Sequence, residues 1–501
     1  MTLMDIAKSG RSVAEHRPCP RVVVDKDGWR SAIAVLAEGG TTLLGLWGDA
    51  NAAHMALLDE ASGDRAVLSI EGQDFPSVGK LHAPAIRLER AIRDLYGLRP
   101  VGLPDTRPWL DHGVWGLKHP LGSHRRSETA ATAYAFLPAH GEGLHQIPVG
   151  PVHAGIIEPG HFRFSANGEA VVRLEERLGY VHKGIESLMA GASLEQGAKL
   201  AGRTSGDSTV AFALTFARAV ESALDAKIPA RAVWLRALMA ELERIANHLG
   251  DIGAVCNDAS FSLMYAECGI LREQVLRTAS ACFGHRLMMD RVVPGGVTSD
   301  LAPEGANRLR ALVETIRHRF PELVEVYDNT ASLQDRTVAT GYLAPTLARA
   351  FGASGYVGRA SGRAFDARKA IAYSPYDELE FAVPVRDEGD VNARVWLRIR
   401  EIEQSLALID QIIGKLPAGA THDPVTKAAE IREGLALVEG FRGDVLAWVR
   451  IGADDRIARC HLRDPSWFQW PLLEAAIEGN IVADFPLCNK SFNCSYSGHD
   501  L

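Results

Sequence analysis

The sequence predicts an α+β N-terminal domain followed by a mainly α domain with small β elements. In the first hundred residues, short apolar runs alternate with glycine turns, which is typical of the strands of an α+β fold. From about residue 170 onward, apolar residues recur every three or four positions, the spacing of a helix buried on one face. We expect a domain at 1–98, a connecting arm at 99–149 and a helical domain at 150–501.

The N-terminal domain contains five segments with clear local signals. Apolar runs predict strands at 21–24, 41–47 and 66–70, and amphipathic spacing predicts helices at 29–38 and 88–96. The arm that follows is rich in Gly, Pro, His and Trp and has little periodicity, so we expect it to lie on the surface of the next domain.

Three apolar stripes predict long helices in the second domain, and an alternating segment at 378–383 predicts a short strand between the last two. The stripes are Leu235, Leu238, Leu242, Ile245 and Leu249; Leu309, Leu312, Ile316 and Phe320; and Ile402, Leu406, Ile409 and Ile413.

Charge and cysteine content exclude several classes of protein. The 54 basic and 62 acidic residues give a net charge of −8, which argues against nucleic acid as the main partner. Seven cysteines with no C-x-x-C pair do not support a disulfide scaffold, or a metal cluster held by this chain alone. The sequence has no signal peptide and no apolar run of membrane-spanning length, so we expect a cytoplasmic chain whose membrane contact goes through partners.

The residues alone leave the reaction open. His153, His161 and His182 lie near several glutamates, but their spacing matches no zinc pattern, and capping or surface roles are the favoured explanation. The glycine-rich segments lack the strand–GxGxxG–helix context of a dinucleotide site.

Seven sequence blocks keep a fixed order within residues 148–501: GPVH at 150–153, EPGHFR at 158–163, LGYVHKGIE at 178–186, ERIANH at 243–248, RVVPGGV at 291–297, SGRAFDARK at 361–369 and YD at 376–377. These blocks resemble the large subunit shared by energy-converting [NiFe] hydrogenases and respiratory complex I, where it is the D-type subunit. An upstream segment, ERAIRDLYG at 89–97, is similar to a helix of the C-type subunit of complex I. The fused C–D order resembles the large subunits of formate hydrogenlyase and hydrogenase-4.

The resemblance also shows a departure that decides the chemistry. Hydrogenases of this kind hold nickel and iron with four thiolates from two C-x-x-C pairs, because soft metals prefer soft sulfur ligands. The corresponding positions here are Ser205 and Ser208 in the early pair, and Ser495 and Gly498 in the late pair. We therefore expect no metal bound by this chain.

By resemblance, the vacated space corresponds to the head of the quinone chamber of complex I. Glu158 matches the glutamate that relays protons in [NiFe] hydrogenases, and Asp258 matches the aspartate that partners the quinone histidine. We expect Glu158 and Asp258 near the vacated space, with Arg203 on its wall, as catalytic residues. The substrate-binding candidates are His153, His161 and Asp500, although His161 is displaced by two positions from the family's quinone histidine.

The resemblance implies a peripheral-arm subunit of a membrane-bound oxidoreductase that is NADH-, formate- or ferredoxin-linked, with a quinone-type acceptor and with NAD binding as a family property. Its partners would be a small subunit holding a [4Fe-4S] cluster, a ferredoxin-like subunit and antiporter-like membrane subunits, at the cytoplasmic face of the inner membrane. Three interpretations stay open: quinone or proton-coupled redox chemistry in the cavity, a non-catalytic scaffold or coupling subunit, and an active [NiFe] hydrogenase, which the lost thiolates do not support.

Overall fold

A five-stranded sheet with three helices forms the N-terminal part of the chain. The computed structural model describes residues 2–123, 125–126, 133–154 and 157–501. The sheet has the order β1-β3-β6-β5-β4, in which β3 and β6 are parallel and the other pairs are antiparallel. The strands are β1 (Arg11–Val13), β2 (His16–Arg17), β3 (Arg21–Val23), β4 (Thr42–Asp49), β5 (Ala52–Leu58), β6 (Arg65–Glu71), β7 (Asp74–Pro76) and β8 (Arg99–Val101); the helices are α1 (Leu3–Ser9), α2 (Lys26–Ala37) and α3 (Ile86–Tyr96).

Helix α3 occupies the position that the sequence predicts, and it packs against β4. Its residues Leu88, Ile92 and Leu95 follow the spacing of one helix face and are buried. The helix ends at Gly97, which adopts a left-handed conformation (φ +74°) that glycine reaches without steric cost.

The connecting segment leads into a three-stranded antiparallel sheet of order β11-β12-β13. Strand β11 runs across the domain boundary that the sequence predicts at 149–150. The strand contains Pro148 and Pro151, which have no backbone N–H group to donate. It tolerates them because β11 lies at the edge of its sheet. The strands of this region are β9 (Leu117–Lys118), β10 (Arg125–Arg126), β11 (Leu144–His153), β12 (Gly160–Asn167) and β13 (Ala170–Arg177).

Long helices dominate the second part of the chain, as the apolar stripes predict. The three stripes lie on α7, α9 and α14, and their residues are buried. The elements are α4 (Ile185–Met189), α5 (Leu194–Gly202), α6 (Thr209–Ala223), α7 (Ala230–Asp258), α8 (Ser262–Phe283), β14 (Val292–Val293), β15 (Gly296–Val297), α9 (Pro303–Asn329), α10 (Ala331–Thr337), α11 (Pro345–Ala350), α12 (Gly355–Arg359), α13 (Ala367–Ala370) and α14 (Val391–Lys415).

A further sheet near the C-terminus has no counterpart in the sequence prediction. Its strands are buried along nearly their whole length and α6 packs against them, so the alternation that marks a half-exposed strand is missing. Strand β2 pairs with β16 in parallel and so joins the N-terminal part to this sheet. The remaining elements are β16 (Arg432–Glu439), β17 (Asp444–Ile451), β18 (Ile457–Arg463), α15 (Ser466–Ala476), α16 (Phe485–Phe492) and α17 (Tyr496–Asp500).

The strand expected at 378–383 is wrong. A short 3-10 turn covers Tyr376–Glu378, and the following residues are extended without pairing to a strand. The backbone N–H groups of Glu380 and Ala382 instead donate to the side-chain oxygens of Gln411 and Gln404 on α14. Apolar alternation thus reflects packing against a helix here.

Apolar packing joins the two parts of the chain. One buried cluster contains Leu68 of β6 together with Trp470 of α15 and Phe485 of α16. In the described part of the chain, no helix combines the length and apolar character needed to cross a membrane.

Candidate functional site

Two segments that lie 290 residues apart in the sequence meet at the site. Ser205 precedes a 3-10 turn over Gly206–Ser208, and Ser208 ends that turn where α6 begins. Ser495 is the N-cap of α17, and its hydroxyl accepts a hydrogen bond from the backbone N–H of Gly498 over 2.9 Å. The hydroxyl oxygens of Ser205 and Ser495 are 3.0 Å apart, so the early and late segments are in direct contact.

An ion pair closes this group of serines. The Arg442 guanidinium donates to both carboxylate oxygens of Asp207, at 2.5 and 2.9 Å, and to the hydroxyl of Ser208 at 3.1 Å. The Ser205 hydroxyl donates to the same carboxylate over 2.7 Å. Although burial alone would raise the pKa of Asp207, the Arg442 charge and these hydrogen bonds hold it well below its ordinary value. We call Ser205, Ser208, Ser495, Asp207 and Arg442 the serine cluster.

The Asp464 carboxylate occupies the space beside Gly498, the fourth of the former ligand positions. A Cβ atom added to Gly498 would lie 2.5 Å from Oδ2 of Asp464, so a side chain at this position requires Asp464 to move. Asp464 is almost fully buried, and burial raises the pKa of its carboxyl group. The packing therefore matches the loss of a side chain at 498.

Two nearby cysteines are buried as neutral thiols. Burial raises the pKa of Cys488 to about 11 and raises that of Cys494 still further above its ordinary value. The thiolate, which is the metal ligand, is therefore disfavoured at both positions at neutral pH.

Glu158 reaches the C-terminal segment but is exposed. Its carboxylate accepts a hydrogen bond from the backbone N–H of Ser497 over 3.0 Å. The contact puts Glu158 beside α17, and its side chain is exposed to solvent.

Arg203 and Asp258 do not join the serine cluster. Arg203 instead makes a two-point ion pair with Asp290, and both side chains are more than a third exposed to solvent. Asp258 is the last residue of α7, eleven residues beyond Asn247, whose amide donates to the backbone carbonyl of Asp207. At 1.5 Å per residue, Asp258 lies about 16 Å along the helix from that contact.

The three substrate-binding candidates lie in different environments. His153 is exposed at the end of β11, whereas His161 at the start of β12 is buried with its ring 4.7 Å from that of Phe136. Asp500 is fully buried, and its carboxylate accepts hydrogen bonds from the backbone N–H groups of Gly179 and Val181. Asp500 therefore fastens α17 to the loop before α4.

The sequence interpretation missed the charged residues of the cluster. Arg442 lies in the turn between β16 and β17, and nothing in its local pattern points to Ser208 or Asp207. Asp207 had a signal, because it lies between the two serines at the former ligand positions. Asp251 was also missed: its carboxylate accepts a hydrogen bond from Asn493, whose backbone carbonyl accepts one from Arg442.

A second polar region, the ionic network, lies within the helical domain and unites three sequence blocks. Arg359 donates to Glu401 and Glu439, while Arg368 donates to Glu241 over 3.0 Å. Each of these side chains is less than 3% exposed. The other members of the network are Asp366, Arg244, His248 and Tyr376, so the blocks at 243–248, 366–369 and 376–377 meet here.

Comparisons with known proteins decide the family. Residues 22–129 match the family described as the 30 Kd subunit of respiratory-chain NADH dehydrogenase, and residues 259–433 match its 49 Kd subunit. Formate hydrogenlyase subunit 5 of Escherichia coli (strain K12) is 32% identical over 441 residues, which cover 85% of this chain and 77% of that protein. The chain belongs to the fused 30/49 kDa large subunits of complex I and related hydrogenases.

Other fused 30/49 kDa subunits extend the comparison. The C/D subunit of NADH-quinone oxidoreductase from Phocaeicola vulgatus is 29% identical and aligns with 75% of this chain and 76% of its own length. A solved structure of the membrane-bound sulfane sulfur reductase, an archaeal respiratory membrane complex, superposes with a TM-score of 0.67 and 26% identity, covering 72% of this chain and 99% of that chain. The family assignment agrees with the resemblance found in the sequence, and the superposed chain comes from a respiratory membrane complex.

Proposed function

We propose that this chain is a peripheral-arm large subunit of a membrane-bound oxidoreductase complex and that it works without a [NiFe] centre. The supporting observation is the serine cluster, in which the hydroxyls of Ser205 and Ser495 bond to each other, and those of Ser205 and Ser208 bond to the Asp207–Arg442 pair. Serine hydroxyls do not replace thiolates as ligands of soft metals at neutral pH. The space beside the fourth position is taken by Asp464.

The complex would pass electrons from NADH, formate or ferredoxin, oxidised on other chains, to an acceptor beside this subunit. A [4Fe-4S] cluster in a neighbouring small subunit would deliver them. We infer a ferredoxin-like subunit and antiporter-like membrane subunits as further partners, and a position at the cytoplasmic face of the inner membrane. These partners follow from the family to which the relatives belong.

The chemistry we propose at the site is proton-coupled reduction of a quinone-type acceptor, which takes up two electrons and two protons. Asp207 would position this step rather than supply the proton, because Arg442 holds its carboxylate ionised at neutral pH. Asp207 accepts a hydrogen bond from the Ser205 hydroxyl, which contacts that of Ser495, so these two hydroxyls would pass protons from water to the acceptor. Asp207 replaces Arg203 and Asp258 as the central candidate in this proposal.

Sulfane sulfur is a second candidate acceptor. The superposed archaeal complex is described as a sulfane sulfur reductase, and almost all of its chain aligns with this one. Reduction of a sulfur–sulfur bond also consumes two electrons, with protons going to the sulfur atoms released. Both acceptors take up protons, and the hydroxyls of Ser205 and Ser495 would pass them from water in either reaction.

A scaffold or coupling role is the alternative outcome. It is favoured by the separation of Glu158, Arg203 and Asp258, which do not form one relay. In that case the subunit would hold the neighbouring small subunit in place and carry no acceptor chemistry.

The test measures acceptor reduction by the assembled complex, with a soluble quinone and with an organic trisulfide in separate assays. We expect Asp207→Asn to lower turnover at least tenfold, because the substitution keeps the shape but removes the negative charge that holds Arg442 and orients the Ser205 hydroxyl. Glu158→Gln tests the family's relay position in the same assay, and Arg203→Ala is the control outside the cluster. No turnover with either acceptor in the wild-type complex would refute the redox proposal and support the scaffold.

A further inference from the structure

A cavity lies between the N-terminal part and the helical part of the chain, apart from the serine cluster. Its volume is about 320 Å³, and none of its lining residues belongs to that cluster. Helix α3 and strand β4 form one side, the segment 115–121 covers it, and the start of α4 with strand β18 forms the far side. The size falls in the lower range of cavities that bind small organic molecules.

Most of the wall is apolar. Leu88, Ala91, Ile92 and Leu95 of α3 line it, and Leu121 faces them from the covering segment. Such a wall favours an apolar ring or chain, because burying apolar surface away from water is favourable.

The remaining wall carries polar groups that lack partners. The hydroxyl of Tyr96, the Nε and Nη1 atoms of Arg459, and Nε2 of His461 are buried and have no hydrogen-bond partner among the described residues. All three residues line the cavity and are more than nine-tenths buried. Buried polar groups without partners are rare in folded proteins, so these groups point to a ligand or water that satisfies them.

The charge at this end is already balanced within the protein. Arg459 donates to the Glu186 carboxylate over 2.9 Å, and Nδ1 of His461 donates to the other oxygen over 2.7 Å. Since Glu186 neutralises Arg459, a neutral oxygen can accept from the free N–H groups of Arg459. Lys183 and Asp500 also line the cavity and add one charge of each sign, so the wall carries no net positive charge that would favour an anion. The Lys183 ammonium donates to the backbone carbonyl of Thr204 over 2.7 Å.

We propose that this cavity binds a neutral amphipathic molecule whose apolar ring or chain packs against α3 and whose carbonyl or hydroxyl oxygen bonds to Arg459 and Tyr96. The site is separate from the proposed acceptor chemistry and does not depend on it. A molecule bound there would bridge two parts of the chain: the N-terminal part, which matches the 30 Kd family, and the segments around Glu186 and Arg459.

Photolabelling with benzophenone, a neutral two-ring ketone, tests the proposal on the assembled complex. On irradiation, the excited ketone takes a hydrogen atom from a nearby C–H group and then bonds to that carbon, so peptide mapping reports the position. We expect saturable labelling on α3 or on residues 115–121. Labelling confined to other surfaces would overturn the proposal. The absence of any labelling would also overturn it, because the cavity would then hold only water.

Variants separate the cavity from nonspecific labelling. Leu121→Trp fills the cavity and should lower the labelling at least fivefold, whereas Leu188→Trp, at a position 55% exposed and outside the cavity, should leave it unchanged. Tyr96→Phe removes a single oxygen atom without a partner and should lower saturable labelling about threefold without affecting complex assembly. Equal labelling in wild type, Leu121→Trp and Tyr96→Phe would refute the site.

An anionic analogue tests whether the cavity prefers neutral molecules. The 4-benzoylbenzoate anion has the same two rings with a carboxylate added, and we expect it to label the cavity more weakly than benzophenone. Stronger labelling by the anion would overturn the assignment to neutral molecules.

Discussion

The serine cluster and the ionic network are both polar groups enclosed by the same helical domain, yet they differ in exposure and in charge balance. In the network, Arg359, Glu401 and Glu439 are essentially without solvent contact and bind each other. In the cluster, about a third of the Asp207 side chain is exposed, and serine hydroxyls surround the ion pair. The first arrangement fits a structural role, whereas the second leaves an ionised carboxylate and the hydroxyls beside it within reach of water.

The network's structural role predicts the largest effect on stability. Arg359→Met removes the guanidinium that donates to Glu401 and Glu439, so these two buried carboxylates lose this counterion. Breaking a buried ion pair in this way costs about 3–5 kcal/mol of unfolding free energy. Denaturant unfolding of the assembled complex measures the loss, and Arg359→Lys is the matched variant with the charge retained. Near-wild-type stability of Arg359→Met would contradict a structural network.

Glu243 lies near Asp207 of the serine cluster and Arg244 of the ionic network, and its buried carboxyl group predicts a pH dependence of stability. It accepts hydrogen bonds from the backbone N–H groups of Val210 and Ala211, and burial raises its pKa to about 8. The folded state therefore holds this proton more tightly than the unfolded state, so its contribution to stability is full below about pH 4.5 and is lost as pH rises toward 8. Each unit of pKa difference corresponds to about 1.4 kcal/mol.

Glu243→Gln should flatten this loss of stability between about pH 5 and pH 8, where the raised pKa acts. Unfolding free energies measured across that range, as the difference between wild type and variant, isolate this group from other titrating residues. Parallel pH profiles would show that Glu243 does not carry the proton.

Asp207→Asn should have a smaller effect on stability than Arg359→Met. The substitution leaves the buried Arg442 guanidinium without its carboxylate, and losing a charged hydrogen-bond partner costs about 1–3 kcal/mol. Thermal unfolding of the complex measures this, with Ser205→Ala as the neighbouring variant that keeps the ion pair. A loss as large as that of Arg359→Met would place Asp207 with the structural network.

Arg203→Ala should have the smallest effect. Its pair with Asp290 is exposed, and exposed ion pairs contribute about 0–1 kcal/mol. We expect wild-type assembly and wild-type acceptor turnover. A tenfold loss of turnover would return Arg203 to the site.

The sequence predicted local features well and long-range contacts poorly. Leu235 through Leu249 identified α7 because one helix face repeats its apolar pattern, and the serines at 205 and 495 followed from matching blocks. Arg442 could not be found this way, since its partner Asp207 is 235 residues away. The sheet formed by β16, β17 and β18 was missed because strands that are buried nearly throughout lack alternation.

The most direct test of the account is the nickel content of the purified complex, measured together with hydrogen evolution. The account predicts iron from the partner's cluster, no stoichiometric nickel and no hydrogen evolution, because Ser205, Ser208, Ser495 and Gly498 replace the four thiolates. Nickel near one atom per chain, with hydrogen evolved from a reduced electron donor, would contradict it.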